Sequence, residues 1–66
     1  MEFNSIIKER RKILGISQQD LADYSDVSVR LIKSIETNKA NPTVKTLSKI
    51  CDVLGLELIM KIKEIN

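Results

Sequence analysis

Residues 17–36 read SQQDLADYSDVSVRLIKSIE, and this stretch decides the fold of the 66-residue chain. Ser17 and Ser28 are residue types that cap helix N-termini, and Asp20 stands three places after Ser17 as the reciprocal partner of a capping box. Asp26 lies in the Ser25-Asp26-Val27 turn and tolerates the left-handed backbone that such a turn needs. The stretch therefore predicts two short helices joined by a tight turn. Their inward residues are Leu21, Ala22, Val27, Ile32 and Ile35.

One further helix is predicted on each side of this pair. The first runs from Asn4 to Leu14 and ends at Gly15, a residue that favours the left-handed cap. Its apolar stripe consists of Phe3, Ile6, Ile7, Ile13 and Leu14. The fourth helix follows a loop over residues 37–42, in which Asn38 takes a left-handed conformation and Pro42 blocks helical continuation. Its Thr43 cap precedes an i, i+3, i+4, i+7 pattern that ends before Gly55: Leu47, Ile50, Cys51 and Leu54.

The last segment changes to a period of two, with apolar Leu56, Leu58, Met60 and Ile62 alternating with Glu57, Lys61 and Lys63. Ile59 is the exception. This pattern predicts a half-buried strand rather than a fifth helix, which would place Lys63 on the apolar face. A lone strand needs a partner for its backbone groups, and the sequence contains no second strand. We therefore expect an antiparallel pair with a second copy, where an axis near Met60 would place Glu57 opposite Lys63.

The composition describes a single small domain with a core and no strong overall charge. Hydrophobic residues make up 42% of the chain, and the formal net charge is +2. Residues 27–49 hold five cations against one anion. That block is consistent either with a basic face for a phosphate backbone or with ordinary solvated helix faces. Phe3 and Tyr24 are the two aromatic residues, which is too few for a platform that stacks single-stranded bases.

Several classes of chemistry find no support in these residues. The chain has no histidine and one cysteine, Cys51, which excludes an internal disulfide and is expected in the core. Asp20, Asp23 and Asp26 are interpreted as caps and solvated surface rather than ligands. No nucleophile–base pair and no glycine-rich phosphate loop is present, so we expect no enzyme, no metal and no cofactor. Without an apolar run long enough for a bilayer or a signal peptide, the protein is expected in the bacterial cytoplasm.

Residues 5–55 resemble the Cro/C1 (XRE-type) helix-turn-helix family, the DNA-binding domains of lambdoid phage repressors. The resemblance rests on the Ser17-Gln18 pair, on Ala22 at the helix crossing, and on Arg11 and Glu36. It departs from the family at Asp26, where a glycine is usual. The fold class implied is an all-α, four-helix, lambda-repressor-like domain over residues 1–55. Residues 56–66 would then be a C-terminal dimerisation strand, with Leu56, Leu58, Met60 and Ile62 as its contacts.

In this class of fold the first turn of the third helix enters the major groove and reaches base edges. The predicted base-reading residues are Ser28, Val29, Arg30, Lys33 and Ser34. Arg30 is the strongest candidate, because a guanidinium can donate two hydrogen bonds to guanine, which gives about 1–3 kcal/mol of discrimination. Val29 could pack against a thymine methyl group. The plain alternative is that Arg30 is a solvated helix residue.

The resemblance also implies phosphate contacts that position the domain. The predicted set is Gln18, at the start of the second helix, with Gln19, Arg11, Lys39, Asn41 and Lys45. Lysine and asparagine are also ordinary loop residues, which is the alternative for Lys39 and Asn41. Family members pair the arginine and glutamate found here as Arg11 and Glu36, and we interpret this as a structural ion pair first and a DNA contact second.

The short C-terminal strand resembles that of HipB-type antitoxins. This implies a homodimer that represses its own operon at a palindromic operator on double-stranded DNA, associates with the nucleoid when bound, and binds a HipA-type kinase toxin. One alternative is a stand-alone repressor or controller of a phage or restriction–modification system. An alternative of another class is a protein-interaction module that keeps the fold and does not need DNA.

Overall fold

The computed structural model describes residues 3–60, and these form a four-helix domain. The helices are α1 (Phe3–Ile13), α2 (Gln18–Ser25), α3 (Val29–Glu36) and α4 (Val44–Leu54). Helix α2 packs against α3 and α4, and α1 packs against the same two helices. The part of the chain from residue 3 to residue 60 contains no strand.

The three predicted N-caps are confirmed. Ser17 and Asp20 form a reciprocal capping box, with the Ser17 Oγ accepting from the Asp20 N–H at 2.9 Å and the Asp20 carboxylate accepting from the Ser17 N–H at 3.0 Å. The Ser28 hydroxyl accepts from the backbone of α3, and the Thr43 hydroxyl from that of α4, each at 3.1 Å. Each cap satisfies a helix-end donor and contributes about 0.5–2 kcal/mol.

The predicted left-handed residues are also confirmed. Asp26 ends α2 with φ 57°, and Asn38 follows α3 with φ 59°. The backbone N–H of Val27 donates to the Ala22 carbonyl at 3.0 Å, which closes the turn between α2 and α3. Val27 packs half-buried against the core. Aspartate therefore occupies the left-handed position of this turn.

The core lies where the four helices meet. Both inward residues of α3, Ile32 and Ile35, are completely buried, and the whole predicted face of α4 is buried. The buried apolar residues are Ile7, Leu21, Ala22, Ile32, Ile35, Leu47, Ile50, Cys51 and Leu54. Because α3 contributes two fully buried isoleucines, its orientation on the rest of the domain is set by the core.

The predicted apolar stripe of α1 is wrong in part. Ile7 is its fully buried residue, whereas Ile6 is 50% exposed, Ile13 72% and Leu14 43%. At 3.6 residues per turn, positions 3, 7 and 10 share the inward face, and positions 6 and 13 lie beside it. The third inward position is Arg10, whose Nε donates to the Leu54 carbonyl at 2.8 Å at the end of α4.

The C-terminal segment is described as far as Met60. Gly55 takes φ 70° and ends α4, and residues 56–60 form neither a helix nor a strand. The strand predicted over residues 56–66 is therefore not observed in residues 56–60. The rest of the predicted dimerisation strand, including Ile62, lies outside the described residues.

Candidate nucleic-acid interface

The first turn of α3 carries a polar surface above its buried side. Ser28, Arg30 and Lys33 are exposed, and Ser34 is half-buried. Val29 is half-buried and packs against the core, so less of its side chain faces outward than the sequence suggested. Exposed hydrogen-bonding groups on a helix that is anchored by Ile32 and Ile35 are what contact with base edges requires.

A hydrogen-bonded network ties the end of α3 to α1 and α2. The Arg11 guanidinium donates twice to the Glu36 carboxylate, from Nε to Oε2 at 2.8 Å and from Nη2 to Oε1 at 2.9 Å. Its Nη1 also donates to the Ile16 carbonyl at 3.1 Å. Gln18 joins the network through Nε2, which donates to Glu36 Oε1 at 3.1 Å. The network braces α3 against two neighbouring helices.

The ion pair between Arg11 and Glu36 is shielded from water, and this burial affects the pKa values of its groups. The side chain of Glu36 is 2% exposed and that of Arg11 12%. Burial alone would raise the pKa of Glu36, but hydrogen bonds from Arg11 and Gln18, with the charges of Arg11 and Lys8, outweigh it and lower the pKa. The hydrogen bond to Glu36 raises the pKa of Arg11. Both groups are therefore charged at neutral pH.

The lowered pKa of Glu36 predicts acid sensitivity. Unfolding returns the carboxyl to its ordinary pKa, 4.5. Between the two pKa values the unfolded chain binds more protons, so the stabilisation is complete above the ordinary pKa and is lost as the pH falls through the folded one. We expect urea unfolding curves to show this loss on acidification. An Arg11→Met/Glu36→Met variant should lose less stability over the same pH range, and an equal loss would contradict the assignment to this pair.

The other predicted phosphate-contacting residues are more dispersed. Lys39 and Asn41 lie exposed in the loop after α3, and Lys45 lies exposed on the first turn of α4. The Lys39 N–H donates to the Ser34 carbonyl at 2.8 Å, so the start of this loop is fixed on α3. Gln19 is exposed and donates to the Asp23 carboxylate at 2.9 Å on its own helix. Its amide group is thus already engaged.

Two features of the site were not predicted from the sequence. One is the hydrogen bond between Gln18 and Glu36, which makes the residue at the start of α2 part of the α3 brace. The other is Arg10, which joins α1 to the last turn of α4. Its position on the same helical face as Phe3 and Ile7 was the available signal, because a cation on an inward stripe must find an acceptor.

Neither a metal site nor a membrane span is found in the described part of the chain. From residue 3 to residue 60, no three or more histidine, cysteine, aspartate or glutamate side chains are grouped in a way that could hold a metal ion. None of α1 to α4 is both long and apolar enough to cross a bilayer. The buried Cys51 has a raised pKa because burial disfavours its thiolate and Asp52 adds a like charge.

The two capped helices, the turn between them and the outward polar face of α3 define a DNA-binding helix-turn-helix domain. The family model described as Helix-turn-helix, HTH_3, matches residues 7–59. The chain belongs to this family, the Cro/C1 (XRE) type, which is a class of DNA-binding regulators and not a class of enzymes.

Similar known proteins are described as HTH-type transcriptional regulators. The SPbeta prophage-derived uncharacterized HTH-type transcriptional regulator YonR of Bacillus subtilis is 35% identical over 54 residues, which cover 82% of this chain and 50% of YonR. The HTH-type transcriptional regulator PuuR of Escherichia coli is 36% identical over 52 residues, which cover 79% of this chain and 28% of PuuR. The chain thus spans half or less of these relatives' lengths.

Proposed function

We propose that this domain is a sequence-specific regulator of transcription that binds double-stranded DNA with α3 in the major groove. The observation that carries the proposal is the bracing of α3. Its inner side is buried through Ile32 and Ile35, and Glu36 at its end is held by Arg11 and Gln18. Its other side exposes Arg30 and Lys33 to solvent. A rigid helix with exposed donors can discriminate between bases.

The proposed roles divide between reading and positioning. Ser28, Arg30, Lys33 and Ser34 would contact base edges, with Val29 limited to the part of its side chain that leaves the core. Gln18 and Arg11 would reach the phosphate backbone while they remain bound to Glu36. The exposed cations and amides outside α3 would add affinity that falls with salt and carries no sequence information. These are Lys39, Asn41 and Lys45, with Gln19 once it leaves Asp23.

The proposed active form is a homodimer on a palindromic operator in the bacterial cytoplasm, with the C-terminal segment as the contact between copies. Two recognition helices would then lie about 34 Å apart, one turn of DNA. The HipB-type antitoxin role, with a HipA-type kinase as partner, stays a prediction that rests on the resemblance of this segment. Co-purification with such a kinase would favour it over a stand-alone repressor.

The first experiment is selection from a random duplex library at about 0.15 M ionic strength, followed by sequencing of the retained DNA. We expect an inverted repeat whose half-site centres are about 10 base pairs apart. Weak, salt-sensitive binding without an enriched sequence would contradict the proposal. It would favour the third interpretation, a protein-interaction module that keeps the fold.

Arg30→Ala tests the assignment of base reading to α3. Loss of a bidentate contact to guanine should weaken binding to the selected operator by about 1–3 kcal/mol and relax the preference at one base pair in each half-site. The matched control is Arg30→Lys, which keeps the charge and cannot donate in the same fork geometry. Both variants should lose the base preference, whereas the lysine variant should keep the salt dependence. Equal weakening on every sequence would instead assign Arg30 to a phosphate.

A further inference from the structure

We propose that Lys8 on α1 binds a phosphate of the DNA backbone and supplies most of the attraction between α1 and DNA. The proposal rests on the regulator function proposed above and adds a residue to its positioning contacts. Lys8 does not belong to the phosphate-contacting set predicted from the sequence, in which Arg11 is the residue of α1. The reason to add Lys8 is the way in which Arg11 is used inside the protein.

The guanidinium of Arg11 is largely occupied by partners within the domain. Its Nε and Nη2 donate to the Glu36 carboxylate, and its Nη1 donates to the Ile16 carbonyl. One N–H on each Nη is left for any other acceptor. The side chain is 12% exposed, which limits how closely a phosphate can approach those two groups. Arg11 is therefore a weak phosphate ligand as long as it holds Glu36.

The charge of Arg11 is also cancelled. Burial would raise the pKa of Glu36, but the hydrogen bonds from Arg11 and Gln18 outweigh it, so the carboxyl is charged at neutral pH. The two groups lie 2.8 Å apart and are neutral as a unit. A neutral unit displaces no counterion from DNA, so the pair adds little of the salt-dependent part of the affinity. Attraction of a phosphate to this side of α1 requires another cation.

Lys8 is a cation in the right place. It lies three residues before Arg11, and residues with this spacing are neighbours on the surface of a helix. Its charge acts on Glu36, at the end of α3, and is one of the influences that lower the pKa of that carboxyl. The side chain is exposed, and its ammonium group has neither an ion pair nor a hydrogen bond among residues 3–60. Lys8 thus gives the junction of α1 and α3 a net positive charge.

The fit of α3 into the groove brings this junction to the DNA backbone. A helix with its side chains is about 10–12 Å across and the major groove is about 12 Å wide, so α3 fills the groove in the proposed complex. Side chains of a helix that packs beside α3 then meet the phosphates along the groove wall. Helix α1 packs against α3, and Lys8 is exposed on it. Lysine binds phosphate as a point charge and needs no fixed geometry.

A purely structural role for Lys8 makes a different prediction. In that case the lysine would serve to stabilise the Glu36 carboxylate within the fold. Its charge is the last of the influences that lower the pKa of Glu36, after the hydrogen bonds from Arg11 and Gln18 and the charge of Arg11. Loss of Lys8 should therefore change the free energy of unfolding very little. The salt dependence of DNA binding is the quantity that a structural role would not move.

Three variants of the full chain test the contact. Lys8→Gln removes the charge and Lys8→Arg keeps it, whereas Lys49→Gln removes one exposed charge from α4, outside the network. Affinity is measured from about 50 to about 200 mM salt, on a duplex with one selected half-site and on an unrelated duplex of the same length. Circular dichroism and urea unfolding of the same samples check that each variant is folded.

The slope of log affinity against log salt changes by about 0.9 for each phosphate that is neutralised. We expect Lys8→Gln to lose about this amount on both duplexes, so that the fourfold rise in salt weakens its binding about 3.5-fold less than that of the wild type. Lys8→Arg and Lys49→Gln should keep the wild-type slope. An unchanged slope in Lys8→Gln, or an equal loss in Lys49→Gln, would overturn the proposal. Absence of sequence preference with the slope change intact would fail the regulator function and support the contact of Lys8.

Discussion

Arg11→Met should lower the free energy of unfolding by about 3–5 kcal/mol, since it strands a buried carboxylate. The side chain of Glu36 is 2% exposed, and Arg11 supplies two of the hydrogen bonds to it. Gln18 would remain as a donor to Oε1, which places the loss towards the lower end of the range. A single core of this size rarely supplies more than about 3–5 kcal/mol, so the loss is comparable with the whole stability.

The measurement therefore needs conditions in which the variant still folds. Urea unfolding in a fixed concentration of a stabilising osmolyte keeps both arms of the curve accessible. The control is Arg11→Met/Glu36→Met, which removes both charges and should be clearly more stable than the single variant. A single variant that loses less than about 1 kcal/mol would mean that the pair behaves as an exposed one.

Most of what could be predicted of the fold from the sequence depends on interactions between residues that are close together in the chain. The caps at Ser17, Ser28 and Thr43 each depend on a hydroxyl and on the backbone three residues later, so they are encoded within one helical turn. The core face of α4 follows from a complete helical repeat. Asp26 and Asn38 were predictable as left-handed because few other residues accept that backbone.

The errors in α1 show where local patterns fail. Its apolar residues fall on two neighbouring helical faces, and periodicity alone does not say which face meets the core. In the structure, the face of α1 that meets the core is the one that carries Arg10. The Nε of Arg10 donates a hydrogen bond to the carbonyl of Leu54, 44 residues away. Contacts of that range depend on how α1 packs against α4. Likewise, the hydrogen bond between Gln18 and Glu36 depends on the angle at which α2 and α3 cross, which the sequence pattern does not give.

For the C-terminal segment, the sequence shows an alternation of apolar and polar residues but does not determine the secondary structure. Its alternation between Leu56 and Lys63 indicates one apolar and one polar side. Whether that becomes a strand depends on a second set of backbone groups, and residues 3–60 contain no strand that could supply them. The same limit applies to the bases that Arg30 is proposed to contact, because their identity is a property of the complex with DNA.

Proline in the C-terminal segment should abolish the dimer and reduce affinity for a two-half-site operator by about 10²–10⁴-fold, the usual gain from linking two binding modules. Successive N–H groups in a strand point to opposite edges, so one of Ile59 and Met60 must face the partner strand. We therefore expect at least one of Ile59→Pro and Met60→Pro to break the ladder, since proline removes the donor. Neither residue lies in a helix, so the folded domain should survive.

Met60→Ala is the matched control, because it removes a fully exposed side chain and keeps the backbone donor. Sedimentation should give a dimer for this control and a monomer for the disruptive proline variant. Binding to a duplex with one half-site should be equal in all variants, since α3 lies outside the segment. A dimer that persists in both proline variants would contradict the strand pair.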